Sequence, residues 1–176
     1  MKNKPILTIM VGLARCGKST WVQKHKKDAV IVCPDEIRAK IFGHQFHIDC
    51  EEFIWAFANA MIKLLLDQGK SVIVDATSIN EFSRDKLIRI ARKYGLKTKI
   101  VWIKTSVAEC KRRNEKTPKG KKVPYEVIDR MANNFEDPVE EDGVEVIEVP
   151  KSKYVRVRLG NYYALHFMEP IKIKKN

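Results

Sequence analysis

The sequence predicts an α/β fold, a five-stranded parallel sheet flanked by helices and followed by a C-terminal β-hairpin extension. Three observations carry that expectation. Short apolar, β-branched runs alternate with stretches of helical periodicity from residue 6 to residue 149. A glycine-bearing turn, Gly12-Leu13-Ala14-Arg15-Cys16-Gly17-Lys18-Ser19, joins the first run to the first helical stretch. Near the C-terminus, two short β-prone runs flank the dipeptide Gly160-Asn161, as in a hairpin.

The elements follow in order. Residues 6–11 form a first strand, and a helix opens at Ser19-Thr20-Trp21. Residues 30–33 form a second strand and 35–42 a short helix. A longer helix covers 51–68, with Phe53, Ile54, Phe57, Met61, Leu64 and Leu65 at core spacing, and stops at Gly69. Residues 71–75 are a third strand, 80–94 an amphipathic helix stopped by Gly95, and 98–103 a fourth strand. A basic helix over 107–115 is capped by Ser106. Residues 117–123 form a mobile loop with Pro118 and Gly120, and Pro124 opens a helix to about Phe135. Residues 144–149 are a fifth strand. Such alternation requires a parallel sheet with helices on both faces.

The turn at 12–19 fits G-x-x-x-x-G-K-[ST] at every fixed position, between a strand and a helix. The sheet is therefore expected to be of the P-loop NTPase type. Gly12 and Gly17 let the backbone turn so that its amides face phosphate oxygens at a helix N-terminus. Gly12, Leu13, Ala14, Arg15, Cys16, Gly17, Lys18, Ser19 and Thr20 are expected to hold ATP. Lys18 reaches the β- and γ-phosphates, and the Ser19 hydroxyl ligates Mg²⁺.

Composition bounds the remainder. A chain of 176 residues, 44% hydrophobic and 32% charged, reads as one ordinary globular domain. Residues 1–150 are assigned to that domain, with a lid over about 111–123, and 151–176 to the hairpin extension. The hairpin reads as a structural edge or an oligomer contact in preference to a substrate flap, so a homo-oligomer is considered. The apolar patch at 61–66 contains Lys63 and is far too short to span a bilayer, which excludes membrane insertion. The phosphate loop occupies the place of a signal-peptide cleavage site. Cys16, Cys33, Cys50 and Cys110 are widely spaced without a C-x-x-C pair, consistent with reduced thiols in the cytoplasm.

A net charge of +12 is large for an enzyme whose only anionic ligand is a nucleotide. One basic cluster holds Lys111, Arg112, Arg113, Lys116, Lys119, Lys121 and Lys122; another holds Arg84, Lys86, Arg89, Arg92, Lys93, Lys97 and Lys99. They read either as solvated surface or as a groove for a polyanionic substrate.

In an open α/β sheet, ligands bind beyond the carboxyl ends of the strands. Asp35, just past the second strand, is either a helix N-cap or a carboxylate over the site, with Arg38 one turn later. Asp75 ends the third strand, and holds Mg²⁺ through water, braces Arg38, or is a turn aspartate. His44 and His47, with Asp49 and Cys50 nearby, have ligand-like spacing, but an exposed loop is the simpler reading.

Over roughly residues 6–150 the chain resembles the kinase domain of bacteriophage-type 5′-hydroxyl polynucleotide kinases, within the P-loop kinase group. The resemblance rests on G-L-A-R-C-G-K-S-T-W, P-D-E-I-R, V-D-A-T-S-I-N, and C-K-R-R-N with a basic loop and V-P after it. It implies transfer of the γ-phosphate of ATP to the 5′-hydroxyl end of DNA or RNA. It implies that Asp35 is the general base, that Arg38 contacts the acceptor's phosphate and that Asp75 supports Arg38. Lys18, Asp35, Arg38 and Arg113 are then catalytic. Asp35, Arg38, Asp75 and Thr77 face the acceptor, and Ser19 and Asp35 face the metal. Thr117 stands where the family lid carries a second arginine, and Lys119 is the nearest basic substitute. No D-x-D-x-T pattern of an attached 3′-phosphatase is present. A P-loop kinase of a small molecule is the alternative, and a nucleotide-gated binding module a third class.

Overall fold

The computed structural model describes residues 4–43 and 48–150, and the backbone alone of 154–159 and 162–167. Five strands, β1 (Leu7–Val11), β2 (Val30–Val32), β3 (Val72–Val74), β4 (Thr98–Ile103) and β5 (Val144–Val149), form one sheet. Their order is β2-β3-β1-β4-β5 and every pairing is parallel. Leu7 is in register with Val72 on one side and Thr98 on the other, so β1 is central. The chain winds to one side of β1 through β2 and β3, then to the other through β4 and β5. The carboxyl end of β1 thus lies where the winding reverses, the place such sheets reserve for ligands.

Among the described residues, six α-helices connect or cover the strands: α1 (Lys18–His25), α2 (Pro34–Phe42), α3 (Glu51–Asp67), α4 (Glu81–Lys93), α5 (Val107–Glu115) and α6 (Tyr125–Asn133). Strand alternation splits the core into two layers. Leu7, Ile9, Val11, Val72, Val74, Ile100 and Trp102 pack against α3 and α4 through Ala58, Ile62, Leu66, Leu87 and Ala91. Met10, Ile73, Val101 and Ile103 point the other way, onto Val22 of α1, Cys110 of α5 and Ile128 of α6. All of β1 is buried except the half-buried Thr8, which is why its sequence is otherwise apolar on both faces.

Caps set several boundaries. The Asn80 side chain accepts the Ser83 amide at 3.0 Å to open α4, and Ser106 accepts from the Glu109 amide at 3.4 Å to open α5. At α2 the cap position belongs to Cys33, Pro34 takes the first turn, and Asp35 lies inside the helix. In α3 the buried line is Ile54, Ala58, Ile62 and Leu66. Phe53, Phe57 and Leu64, expected in the core, are instead about half exposed, at 52%, 45% and 59%. Apolar residues cover so wide an arc of this helix that periodicity alone does not select which line faces the sheet.

Among the described residues no helix is long and apolar enough to cross a membrane. Two antiparallel strands, Tyr154–Leu159 and Tyr162–Phe167, lie outside the main sheet. The expected turn at Gly160-Asn161 falls outside the described residues, as do His44 and His47.

Candidate active site

The carboxyl ends of β1, β3, β4 and β5 converge on the loop that opens α1. Gly12 has φ +145, and a Cβ there would lie 2.7 Å from Cys16 Sγ and 3.0 Å from the Ile103 carbonyl. Gly17 has φ +115, and a Cβ would meet Arg113 Nη1 at 3.2 Å. Only glycine fits these two turns. Leu13 and Cys16 send their side chains into the core and so leave the loop's backbone to line the site. The first described α1 bond runs from the Trp21 amide to the Gly17 carbonyl, and no side chain caps the helix. The amides of Lys18, Ser19 and Thr20 are therefore open to an anion at the positive end of the helix dipole.

Lys18 is 8% exposed. Its Nζ donates to the Gly12 carbonyl at 3.0 Å and the Leu13 carbonyl at 2.9 Å. Asp75, also 8% exposed, stands close by. Burial pushes its carboxyl above the ordinary value; a hydrogen bond from Ser19 and the charge of Lys18 pull it down, while Asp35 and Glu36 push it up again. A buried ammonium, open helix amides, and a hydroxyl beside a carboxylate make a donor set suited to a triphosphate with a hard, oxygen-binding cation. Beside them lies a groove of about 620 Å³ bounded by Lys18, Trp21, Thr105, Arg113, Val149 and Pro150. Trp21 stacks on His25 along its wall, with ring centroids 4.2 Å apart.

Asp35 is 84% exposed, and its carboxylate is paired with Arg38 Nη1 at 2.6 Å. The Arg38 side chain is 12% exposed. Its remaining fork meets Glu51 of α3 in two parallel bonds, Nε to Oε1 at 2.6 Å and Nη2 to Oε2 at 2.9 Å. Hydrogen bonding to Glu51, and then to Asp35, holds the guanidinium pKa above its ordinary value despite burial. The expected helix-cap role of Asp35 is thus taken by Cys33, and Glu51 is a brace that the sequence reading missed. Its signal was faint: a glutamate at the start of a helix is ordinarily a dipole partner. Asp75 accepts a hydrogen bond from Ser19 and lies within the field of Lys18. Thr77 contributes its backbone, accepting the Gly12 amide at 3.1 Å.

The lid side is built on α5. Arg113 donates through Nη1 to the Cys16 carbonyl at 2.6 Å, and through Nε to Glu109 at 2.8 Å. Thr117 caps the helix end, its hydroxyl donating to the Arg113 carbonyl at 3.4 Å. Of the lid's basic residues, Lys111 pairs with Asp129, Arg112 with Glu109 and Lys122 with Glu115. Lys116, Lys119 and Lys121 are exposed and carry no ion pair among the described residues. The second basic cluster is less available than its composition implied. Arg84 is 5% exposed and is spent on the carbonyls of Ser78, Glu136 and Asp137. Arg89, Arg92 and Lys99 pair with Asp85, Glu141 and Glu145.

Comparison with known proteins agrees with this geometry. A family model described as an AAA domain, AAA_33, matches residues 7–138. An L-seryl-tRNA(Sec) kinase of Methanococcus maripaludis is 31% identical over 142 residues, covering 76% of this chain and 53% of its own. Among solved structures, a chain of the Pnkp1/Rnl/Hen1 RNA repair complex superposes with a TM-score of 0.69 at 26% identity, over 76% of this chain and 45% of that one. The Mycobacterium tuberculosis APS kinase CysC, in complex with AMPPNP and APS, superposes with a TM-score of 0.59 at 16% identity, over 85% and 90%. That last likeness is one of fold alone. The chain spans about half the length of the curated relative it matches. With a phosphate loop, a five-stranded parallel sheet and a family match over most of its length, the chain belongs to the AAA_33 family of AAA domains and has the P-loop kinase fold.

Proposed function

We propose that the protein is an ATP-dependent kinase that phosphorylates the 5′-hydroxyl end of DNA or RNA. The observation that carries this reading is the triad Asp35–Arg38–Glu51 beside the phosphate loop. An exposed carboxylate can take a proton from a hydroxyl, and next to it a braced guanidinium can receive a phosphate. An acceptor with a hydroxyl and a nearby phosphodiester matches both. The RNA-linked names of the seryl-tRNA kinase and of the RNA repair complex, both above 25% identity, support the same direction.

Phosphoryl transfer needs positioning and charge neutralisation more than covalent chemistry. The loop amides and Lys18 would grip the β- and γ-phosphates, and Ser19 with its neighbour Asp75 would hold Mg²⁺. Mg²⁺, when bound, neutralises charge on the phosphate oxygens. Asp35 orients the acceptor hydroxyl and accepts its proton. Arg38 fixes the acceptor's first phosphate, and Glu51 fixes Arg38. Arg113 anchors the lid against the loop and closes the site to water.

A second reading, phosphorylation of the seryl hydroxyl carried on a tRNA, is favoured by the 31% identical relative. Incubation with γ-labelled ATP and a panel of 5′-hydroxyl DNA, 5′-hydroxyl RNA, seryl-tRNA, nucleosides and simple sugars separates the readings. Label entering 5′-hydroxyl ends is the expected result. Label confined to seryl-tRNA establishes the second reading, and label confined to nucleosides or sugars overturns both.

A further inference from the structure

Arg15 sits in the phosphate loop with φ 64, a left-handed backbone that an L-residue adopts only at a cost. Glycine would hold that position without strain. Its side chain leaves the loop and crosses to the lid. Nε donates to Asn114 Oδ1 at 3.4 Å, and Nη2 donates to the carbonyl of Lys121.

Asn114 is itself a clasp. It is 2% exposed, and its Nδ2 donates to the Val123 carbonyl at 2.7 Å while its Oδ1 accepts the Val123 amide at 3.0 Å. These two bonds close the base of the 115–123 excursion, and Arg15 joins them at the accepting oxygen. Arg113 runs the opposite way, from the lid helix to the carbonyls of Cys16 and Arg15 at 2.6 and 3.5 Å. Loop and lid are strapped together in both directions.

We propose that Arg15 is a latch, a positioning residue that ties the lid to the donor-phosphate loop before any acceptor arrives. Strain at a functional loop persists where the surrounding structure over-determines it, and here the contacts that hold Arg15 are those to the lid. The latch works whichever acceptor the enzyme uses, so it stands or falls separately from the acceptor's identity.

Limited trypsin digestion of the ligand-free full chain tests this. The lid offers exposed Lys119, Lys121 and Lys122, and α4 offers exposed Arg89 as an internal reference. Arg15→Gly relieves the backbone strain and deletes the two bonds of the Arg15 side chain, leaving those of Arg113 to the loop carbonyls. Lid cleavage relative to cleavage at Arg89 should rise about fivefold or more, the effect of losing one net hydrogen bond from a local opening equilibrium. Arg15→Lys, which keeps the charge but not the fork, should fall between. A general loosening would raise both cleavages and leave the ratio fixed. An unchanged ratio in Arg15→Gly overturns the latch. In turnover, Arg15→Gly should also raise acceptor-independent ATP hydrolysis relative to phosphate transferred, since an unlatched lid admits water. A split unchanged from the unsubstituted enzyme counts against it.

Discussion

Glu51 grips Arg38 through two parallel hydrogen bonds, 2.6 and 2.9 Å long, from the first turn of α3 to the middle of α2. The pair fixes a guanidinium whose third face is shared with Asp35. Removing one partner of a partly buried, charge-assisted pair costs about 1.5–3 kcal/mol. Glu51→Ala should therefore raise KM for an acceptor bearing a phosphate about tenfold to a hundredfold, and leave KM for ATP within about twofold. Steady-state kinetics with each substrate varied in turn checks this. Equal effects on both constants would mean that Glu51 only supports the fold.

Asp35→Asn separates catalysis from helix stability. Because Cys33 occupies the cap position of α2, the substitution deletes no cap, and thermal stability should fall only slightly, through the loss of a largely exposed ion pair with Arg38. Loss of a general base costs about 10²–10⁴-fold in rate. ATP binding, measured by titration calorimetry, should persist while transfer falls by that amount. Full activity in the variant would remove Asp35 from the mechanism.

Lys18→Ala should lower transfer about 10²–10³-fold or more, since the substitution removes the buried positive charge of the loop, which the proposed mechanism sets against the phosphates. Single-turnover measurement with saturating ATP distinguishes this from weak binding.

The sheet was legible in the sequence because β1, β3 and most of β4 are buried on both faces, leaving predominantly apolar, β-branched runs between glycine and polar turns. The phosphate loop was legible because backbone geometry dictates its residues: Gly12 and Gly17 both hold a positive φ that strains any other residue, and a Cβ at Gly12 would also clash with Cys16. Contacts between elements were not. The partner of Arg38 is 13 residues away on another helix, and nothing in the local pattern of Glu51 distinguishes a brace from a dipole partner. Charge clusters misled for a related reason. Sequence counts Arg84 as surface charge, whereas the fold buries it against three backbone carbonyls. The exposed Phe53 and Phe57 show the same limit, since the helix's wide apolar arc has one line facing the sheet and another left outside.

Glu109 gives a pH test. Its hydrogen bonds to Arg112, and then to Arg113, hold the carboxyl down to about 2, below its unfolded value. A depressed acid stabilises the fold above the unfolded pKa, and that contribution fades as pH falls from about 4.5 towards 2. Glu109→Gln lacks this group, so its melting temperature should lie below that of the unsubstituted protein at pH 7, with the gap closing below pH 4. Parallel melting curves across that range decide it. A gap that stays constant with pH would show that the contacts of Glu109 are not ionic.

The acceptor can be read through salt. Lys116, Lys119 and Lys121 are the lid cations without ion pairs among the described residues, and a nucleic-acid strand entering past Arg38 should draw on them. Each neutralised phosphate of a single strand adds about −0.7 to the slope of log affinity against log salt. An oligonucleotide should therefore bind more tightly than a nucleoside at low salt, and its advantage should shrink as salt rises. Replacing the three lysines together by alanine should flatten that slope by about two units if all three touch phosphates, and leave ATP affinity nearly unchanged. The same change at Arg89 and Lys93 of α4, which are not among the residues bounding the groove at the phosphate loop, should leave the slope intact. A nucleoside or sugar used as efficiently as an oligonucleotide, with no salt dependence, would overturn the nucleic-acid assignment and make the protein a small-molecule kinase.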